Sequence, residues 1–183
     1  YIYKNRILCL KCNDNYDGLP EKILNMIRAI LDIEQFSNIT HIVKIDDWDT
    51  NFNNDIIPNI NKILSTNNID YGGCNICFGD ANVNDIENNE FPGDKHWHFG
   101  KISSESFWYE KPYKGNWAPW IDGGCGYILS INAMEKIKTS VENKNNYQIS
   151  TEWIYEDVMI GYLLYKCNIK PTHLPNFIEH NLG

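Results

Sequence analysis

A short apolar run that breaks off into clustered carboxylates constrains this chain more than any other feature. His41-Ile42-Val43-Lys44-Ile45 is rich in β-branched residues and reads as a buried strand. Asp46-Asp47-Trp48-Asp49 follows at once. A strand that crosses a core and releases acidic side chains at its carboxyl end is where open α/β sheets place ligands. Asp47 and Asp49 are separated by one residue and point the same way in an extended segment. Two hard oxygen donors on one side of a loop suit Mg²⁺ or Mn²⁺, and such ions suit a diphosphate. The competing reading is a solvated acidic turn after an edge strand. The apolar run before the turn and the motifs after it weigh against that.

The flanking segments supply a frame. Residues 6–12 read as a first strand, and Asn13-Asp14-Asn15-Tyr16-Asp17-Gly18 as a turn. Pro20 opens a helix whose apolar stripe is Ile23, Leu24, Ile27, Ile30 and Leu31. Strand, helix and strand with short joins predict a βαβ unit, hence a parallel pair with a right-handed crossover. A second helix is expected over 55–64, a strand over 70–78 and an exposed loop between Gly79 and Gly93. Alternation in His96-Trp97-His98 would put both histidines on one strand face. A metal pair there lacks a third ligand close by. Residues 105–120 are dense in aromatics (Phe107, Trp108, Tyr109, Tyr113, Trp117, Trp120), which serve either as sugar platforms or as core, with core favoured for each ring.

Further on, Asp122-Gly123-Gly124-Cys125-Gly126 lets backbone approach a ligand closely, and it does not fit the dinucleotide fingerprint. It leads into a strand at Tyr127–Leu129, with Ser130 as N-cap of a helix through Met134, Ile137 and Val141. Ser150 to Glu156 enters a last helix with Val158, Met159, Leu163 and Leu164 as its apolar side. Glu156 and Asp157 stand in its first turn, where the helix dipole favours ionised carboxylates.

Composition narrows the class. The 183 residues are enough for one domain with a real core, and 43% hydrophobic with 22% charged residues is ordinary for a globular chain. A net charge of −8 without a Lys/Arg cluster argues against nucleic acid or an anionic membrane as partner. No apolar run is long enough to span a bilayer, and no signal-peptide pattern is present. The chain starts at Tyr1 without an initiating Met, the pattern of a fragment or a processed form. Asn38-Ile39-Thr40 is a glycosylation sequon, meaningful only in a secreted protein. Cys9-x-x-Cys12 and Cys74-x-x-Cys77 together suggest a four-thiolate zinc site, but neither pair has the flanks of a zinc knuckle. Free thiols or one disulfide are the favoured reading.

Taken together, these segments resemble the β-1,3-galactosyltransferase and fringe-like superfamily of glycosyltransferases. The resemblance runs through Tyr16-Asp17-Gly18-Leu19-Pro20-Glu21-Lys22, Val43-Lys44-Ile45-Asp46-Asp47, Gly123-Gly124-Cys125-Gly126-Tyr127-Ile128-Leu129-Ser130 and Glu156-Asp157-Val158-Met159-Ile160-Gly161. Trp97 and the Pro119-Trp120 region resemble the approach to the family's Gly-rich strand. The resemblance implies an α/β chain forming a single GT-A-like (Rossmann-like) domain over 1–183. Its central sheet would be mostly parallel and flanked by helices, with a strand missing or reduced at the N-terminus.

It further implies an inverting transfer from a UDP-sugar donor to a hydroxyl of a glycan or glycoprotein acceptor. Mn²⁺ (or Mg²⁺) would bridge the diphosphate, held by Asp47, Asp49 and His180, with His173 a weaker alternative. Asp46, Asp47, Gly123, Gly124 and Trp120 would bind the donor, and Asp157 would be the catalytic base. The family's third Asp is Trp48 here, so either Asp47 with Asp49 or Asp46 with Asp47 supplies the metal pair, and the first is preferred. Two other classes stay open: a non-catalytic sugar- or nucleotide-sugar-binding domain, and a metal-dependent phosphodiesterase. Localisation would be Golgi-luminal by the family's pattern, or cytoplasmic for a viral or free-standing domain.

Overall fold

A computed structural model describes residues 1–46, 56–79, 83–88 and 90–175. Strands β1 (Ile2–Lys4) and β2 (Ile7–Cys9) form an antiparallel hairpin. The two residues between them, Asn5 and Arg6, both take positive φ, the requirement of the two-residue hairpin turn whose twist matches the strands. Helix α1 (Leu19–Asp32) begins with Pro20 in its first turn and buries Ile23, Leu24 and Ile27, the expected stripe. Next come β3 (His41–Lys44), α2 (Ile56–Thr66), β4 (Tyr71–Gly73), β5 (Ile76–Cys77) and α3 (Val83–Glu87). The remainder is β6 (Trp120–Ile121), β7 (Tyr127–Ser130), α4 (Ile131–Ser140), α5 (Asn146–Glu152), α6 (Glu156–Lys166) and β8 (Thr172–His173).

The largest sheet has the order β3-β7-β4-β8 and is mixed: β7 is antiparallel to both neighbours, and β8 is parallel to β4. This corrects the expectation of a mostly parallel sheet. The expected βαβ unit fails too, because β2 pairs with β1 and not with β3. The centre of the sheet is β7, whose four residues are all buried, whereas β3 is a half-buried edge strand. Helices cover both faces. Tyr127 and Leu129 point into the larger core with α1, α4 and α6, and Ile128 points into a smaller one with Ile60 of α2, Ile69 and Leu174. The alternation of one four-residue strand therefore supplies both cores, as its period of two demands.

Other differences are local. The strand expected over 70–78 is two short ones in different sheets, β4 pairing with β7 and β5 with β6. A capping box at Asn145 and Gln148 starts α5 before Ser150, and α5 ends at Glu152 with Trp153 as its C-cap, so α6 is a separate helix. His96 and His98 lie in turns, not on a strand. His98 is fully buried, with Nδ1 against the Tyr155 hydroxyl (2.9 Å) and Nε2 against the Lys111 carbonyl (2.9 Å), while His96 is exposed. Of the aromatic run, Trp108, Tyr113, Trp117 and Trp120 are core, while Phe107 and Tyr109 are exposed. All six cysteines are free. Among the described residues, no helix is long and apolar enough to cross a membrane.

Helix α6 crosses β6 at Gly161. A Cβ there would stand 2.6 Å from Trp120 Cβ and 2.8 Å from the Pro119 carbonyl oxygen, so only glycine lets the helix settle on that strand. Gly161→Val is expected to destabilise the fold by about 2–3 kcal/mol through overpacking. A fall in the urea midpoint with an unchanged slope measures it.

Candidate functional site

Antiparallel pairing of β3 with β7 builds the site. The register sets Lys44 opposite Tyr127, so the carboxyl end of β3, carrying Asp46, lies beside the amino end of β7 and its glycine turn. A parallel pair would have sent these segments to opposite ends of the sheet. In the turn, the Gly126 N–H donates to the Gly123 carbonyl (3.1 Å), and Gly126 has φ +73°, which an L side chain resists. The Gly124 N–H donates to Asp122 Oδ1 (3.0 Å), and Asn75 Nδ2 to Asp122 Oδ2 (3.2 Å), which holds the turn against β5.

Four charged groups converge here. Lys44 Nζ donates to Asp46 Oδ1 (2.5 Å) and to the Gly123 carbonyl (3.0 Å), and stands 3.8 Å from Glu156 Oε2. The Tyr127 hydroxyl donates to the other Glu156 oxygen. Asp157 Oδ2 accepts from the Gly123 N–H (3.2 Å), and its Oδ1 from the Val158 N–H (2.8 Å). A Cβ on Gly123 would lie 3.2 Å from Glu156 Oε2 and 3.4 Å from both Asp157 Cβ and Lys44 Nζ. A side chain at 123 would therefore crowd Glu156 and touch Asp157 and Lys44.

Electrostatics separate the two adjacent carboxylates. Burial raises the Glu156 pKa, opposed by Lys44 and by the Tyr127 hydrogen bond. Burial would lower the Lys44 pKa, but Glu156, Asp46 and Asp157 outweigh it, and the ammonium is held. Among the described residues Asp157 has no ion-pair partner of its own. Burial and then the Glu156 charge push it up to about 7, against the two backbone N–H bonds. The helix start was expected to keep this carboxyl acidic. Desolvation overrides the dipole and leaves a proton acceptor that titrates near neutrality.

These groups line a cleft of about 1300 Å³. Asp46, Asp122, Gly123, Gly124, Glu156 and Asp157 are on its surface, together with apolar residues such as Leu8, Leu10, Met26 and Phe36. The structure thus gathers Asp46, Gly123, Gly124 and Asp157 from the sequence-expected set. Trp120 does not line the cleft. It is 7% exposed and stacked on Phe91 at 5.9 Å, because α6 presses it into the core. His173 is in β8, at the opposite edge of the sheet from the acidic turn. Asp47, Asp49 and His180 lie outside the described residues, and among the described residues no three acidic, His or Cys side chains form a metal-binding group. Sequence reasoning missed Lys44, Glu156, Tyr127, Tyr16, Trp97 and Lys101 as cleft or network residues. Tyr16, Lys44, Tyr127 and Glu156 lie within the quoted motifs, but nothing in their spacing announces a network.

A protein-family model described as Galactosyltransferase matches residues 3–175, nearly the whole chain. A comparison with curated proteins returns no match.

The Lys44–Glu156 pair is the test of this electrostatic layout. Lys44→Met is expected to cost about 2–3 kcal/mol at pH 8, because a buried carboxylate loses its cation. The loss should shrink at pH 5, where Glu156 can take a proton, and the double variant Lys44→Met/Glu156→Gln should recover at least half of it. Denaturant titrations at both pH values read all three outcomes.

Proposed function

Because the chain belongs to the galactosyltransferase family, and is a glycosyltransferase in that general sense, we propose that it is a metal-dependent inverting enzyme that uses a UDP-sugar. The observation that carries this reading is Asp157, a carboxyl with a pKa raised to about 7, held on a cleft wall beside the Gly123-Gly124 backbone. A base poised near neutrality suits abstraction of a proton from a hydroxyl. The acceptor would be a hydroxyl of a glycan or glycoprotein.

By residue type, the carboxylates at and after the end of β3 would suit a hard divalent cation such as Mn²⁺ or Mg²⁺. Asp46 opens onto the cleft with one oxygen already taken by Lys44. Asp47 and Asp49, with His180, would be the holders of the ion. The ion supplies positive charge for the departing diphosphate.

This chain's own residues do the rest. Gly123 and Gly124 present backbone to the donor sugar with no side chain in the way. Lys44 keeps Glu156 compensated and ties the acidic turn to the glycine turn. Asp157 accepts the acceptor's hydroxyl proton as the new oxygen–carbon bond forms at the anomeric centre. The bond to the diphosphate oxygen breaks on the opposite face, UDP leaves with the electron pair, and configuration inverts from α to β.

UDP release with Mn²⁺ across a panel of UDP-sugars tests the reading directly, and no release from any donor would sink it. Asp157→Asn should lower the transfer rate about 10²–10⁴-fold with UDP affinity unchanged. Parent activity should rise with pH through about 7 and then level off, since the base must be deprotonated.

Stability has the opposite sign. A carboxyl whose folded pKa lies above its unfolded one stabilises the fold at low pH, and that contribution falls as pH climbs from about 4 to about 7. The thermal midpoint of Asp157→Asn should therefore improve relative to the parent between pH 5 and pH 8. Asp49→Ala should abolish Mn²⁺-dependent UDP binding with the fold intact, as expected for loss of a charged ligand. Unchanged binding would move the metal assignment to Asp46 and Asp47.

A further inference from the structure

Trp97 is an anomaly of the cleft. Among the described tryptophans it is the one left far in solvent, 59% exposed, yet it lines the same cleft as Asp157. A large apolar ring held in water costs free energy unless something covers it.

The ring is also not free to move away. Its segment is fastened to the residue before α6: the Tyr155 hydroxyl donates to the Asp94 carbonyl (2.9 Å) and is within 2.9 Å of His98 Nδ1. His98, next to Trp97, is fully buried between Trp108 and Tyr155. Trp97 is thereby anchored through Tyr155, two residues from the proposed base. Lys101 Nζ lies 3.4 Å from the indole centroid and 5.4 Å from that of Tyr16, which also lines the cleft. The ammonium stands over one face of the indole and brings hydrogen-bond donors beside the ring.

A rigid, exposed indole beside donors is the chemistry that holds a pyranose: the ring covers the sugar's C–H face with little loss of entropy, and the donors meet its hydroxyls. We propose that Trp97, with Lys101, forms the acceptor subsite and takes a terminal pyranose of the acceptor glycan, delivering its hydroxyl to Asp157. This rests on the transferase reading above. Trp97 on this account positions the acceptor and takes no part in the proton transfer.

The test compares the parent with Trp97→Ala and Trp97→Phe. Each is assayed with UDP-glucose, UDP-galactose and UDP-N-acetylglucosamine, Mn²⁺ and a panel of methyl pyranosides, with UDP release to water as the reference. Saturation-transfer NMR reads binding of the same methyl pyranosides without any donor. Trp97→Ala should raise the acceptor KM about tenfold or more, the equivalent of roughly 1.4 kcal/mol of contact. Donor KM and water-directed UDP release should stay within about twofold, the saturation signal should vanish, and Trp97→Phe should recover most of both. An unchanged acceptor KM, or a donor KM that rises equally, overturns the assignment. If the parent releases no UDP from any donor, the transferase reading falls and the NMR arm decides alone. A signal lost in Trp97→Ala then supports the platform, while an equal signal, or none on the parent, overturns it.

Discussion

One ammonium group holds the site together. Lys44 reaches from the end of an edge strand to Asp46, to the Gly123 carbonyl and to Glu156, joining three parts of the chain that are up to 112 residues apart in sequence. Such a cation is costly to bury alone and is retained because three oxygen acceptors surround it. The arrangement is also what leaves Asp157 different from its neighbour. Glu156 has a cation and a phenol at its oxygens, whereas among the described residues Asp157 accepts from two backbone N–H groups and is repelled by Glu156 and Asp122. Adjacent carboxyls in one helical turn are thus pushed to different tasks by their surroundings, one compensated and one poised to accept a proton.

The fold makes this convergence possible by inverting a single strand. Between β3 and β4, which run the same way, β7 runs against both. Its amino end, with the glycine turn, consequently meets the carboxyl end of β3. The same strand divides its side chains between two cores, so the site's backbone rests on the most buried part of the sheet. Preorganisation follows from packing here: the glycine turn cannot drift without disturbing Tyr127, and Tyr127 is bonded to Glu156. The N-terminal hairpin region and α1 complete the lining of the cleft with apolar residues such as Leu8, Leu10, Ile23 and Met26, and with Arg6 and Lys22.

Much of this was legible in order along the chain. The stripe of α1, the N-cap at Ser130, whose Oγ accepts from the Ala133 N–H at 3.0 Å, and the first turn of α6 all follow from local rules of spacing and capping. Family membership was legible as well, since four quoted motifs in the right order span nearly the whole chain and the family model covers residues 3–175. Aromatic density around residue 110 misled at Phe107 and Tyr109, which are exposed and not core, and at Trp120, which was assigned to the ligand. Trp120 is sealed by Gly161, a contact 41 residues away that no window of sequence contains.

Sequence by itself determined which residue types stand at the ends of which elements: carboxylates after β3, glycines before β7, two acids opening α6. These are short-range facts, decided by steric and hydrogen-bonding preferences within a few residues. Tertiary structure alone decided strand direction, because an apolar run of four residues carries no mark of which neighbour it will pair with or in what sense. It also decided the proton affinity of Asp157. The helix start predicts an acidic carboxyl, and only burial against Glu156, Gly123 and the rest of the cleft wall, a property of the folded surface, moves it towards neutrality.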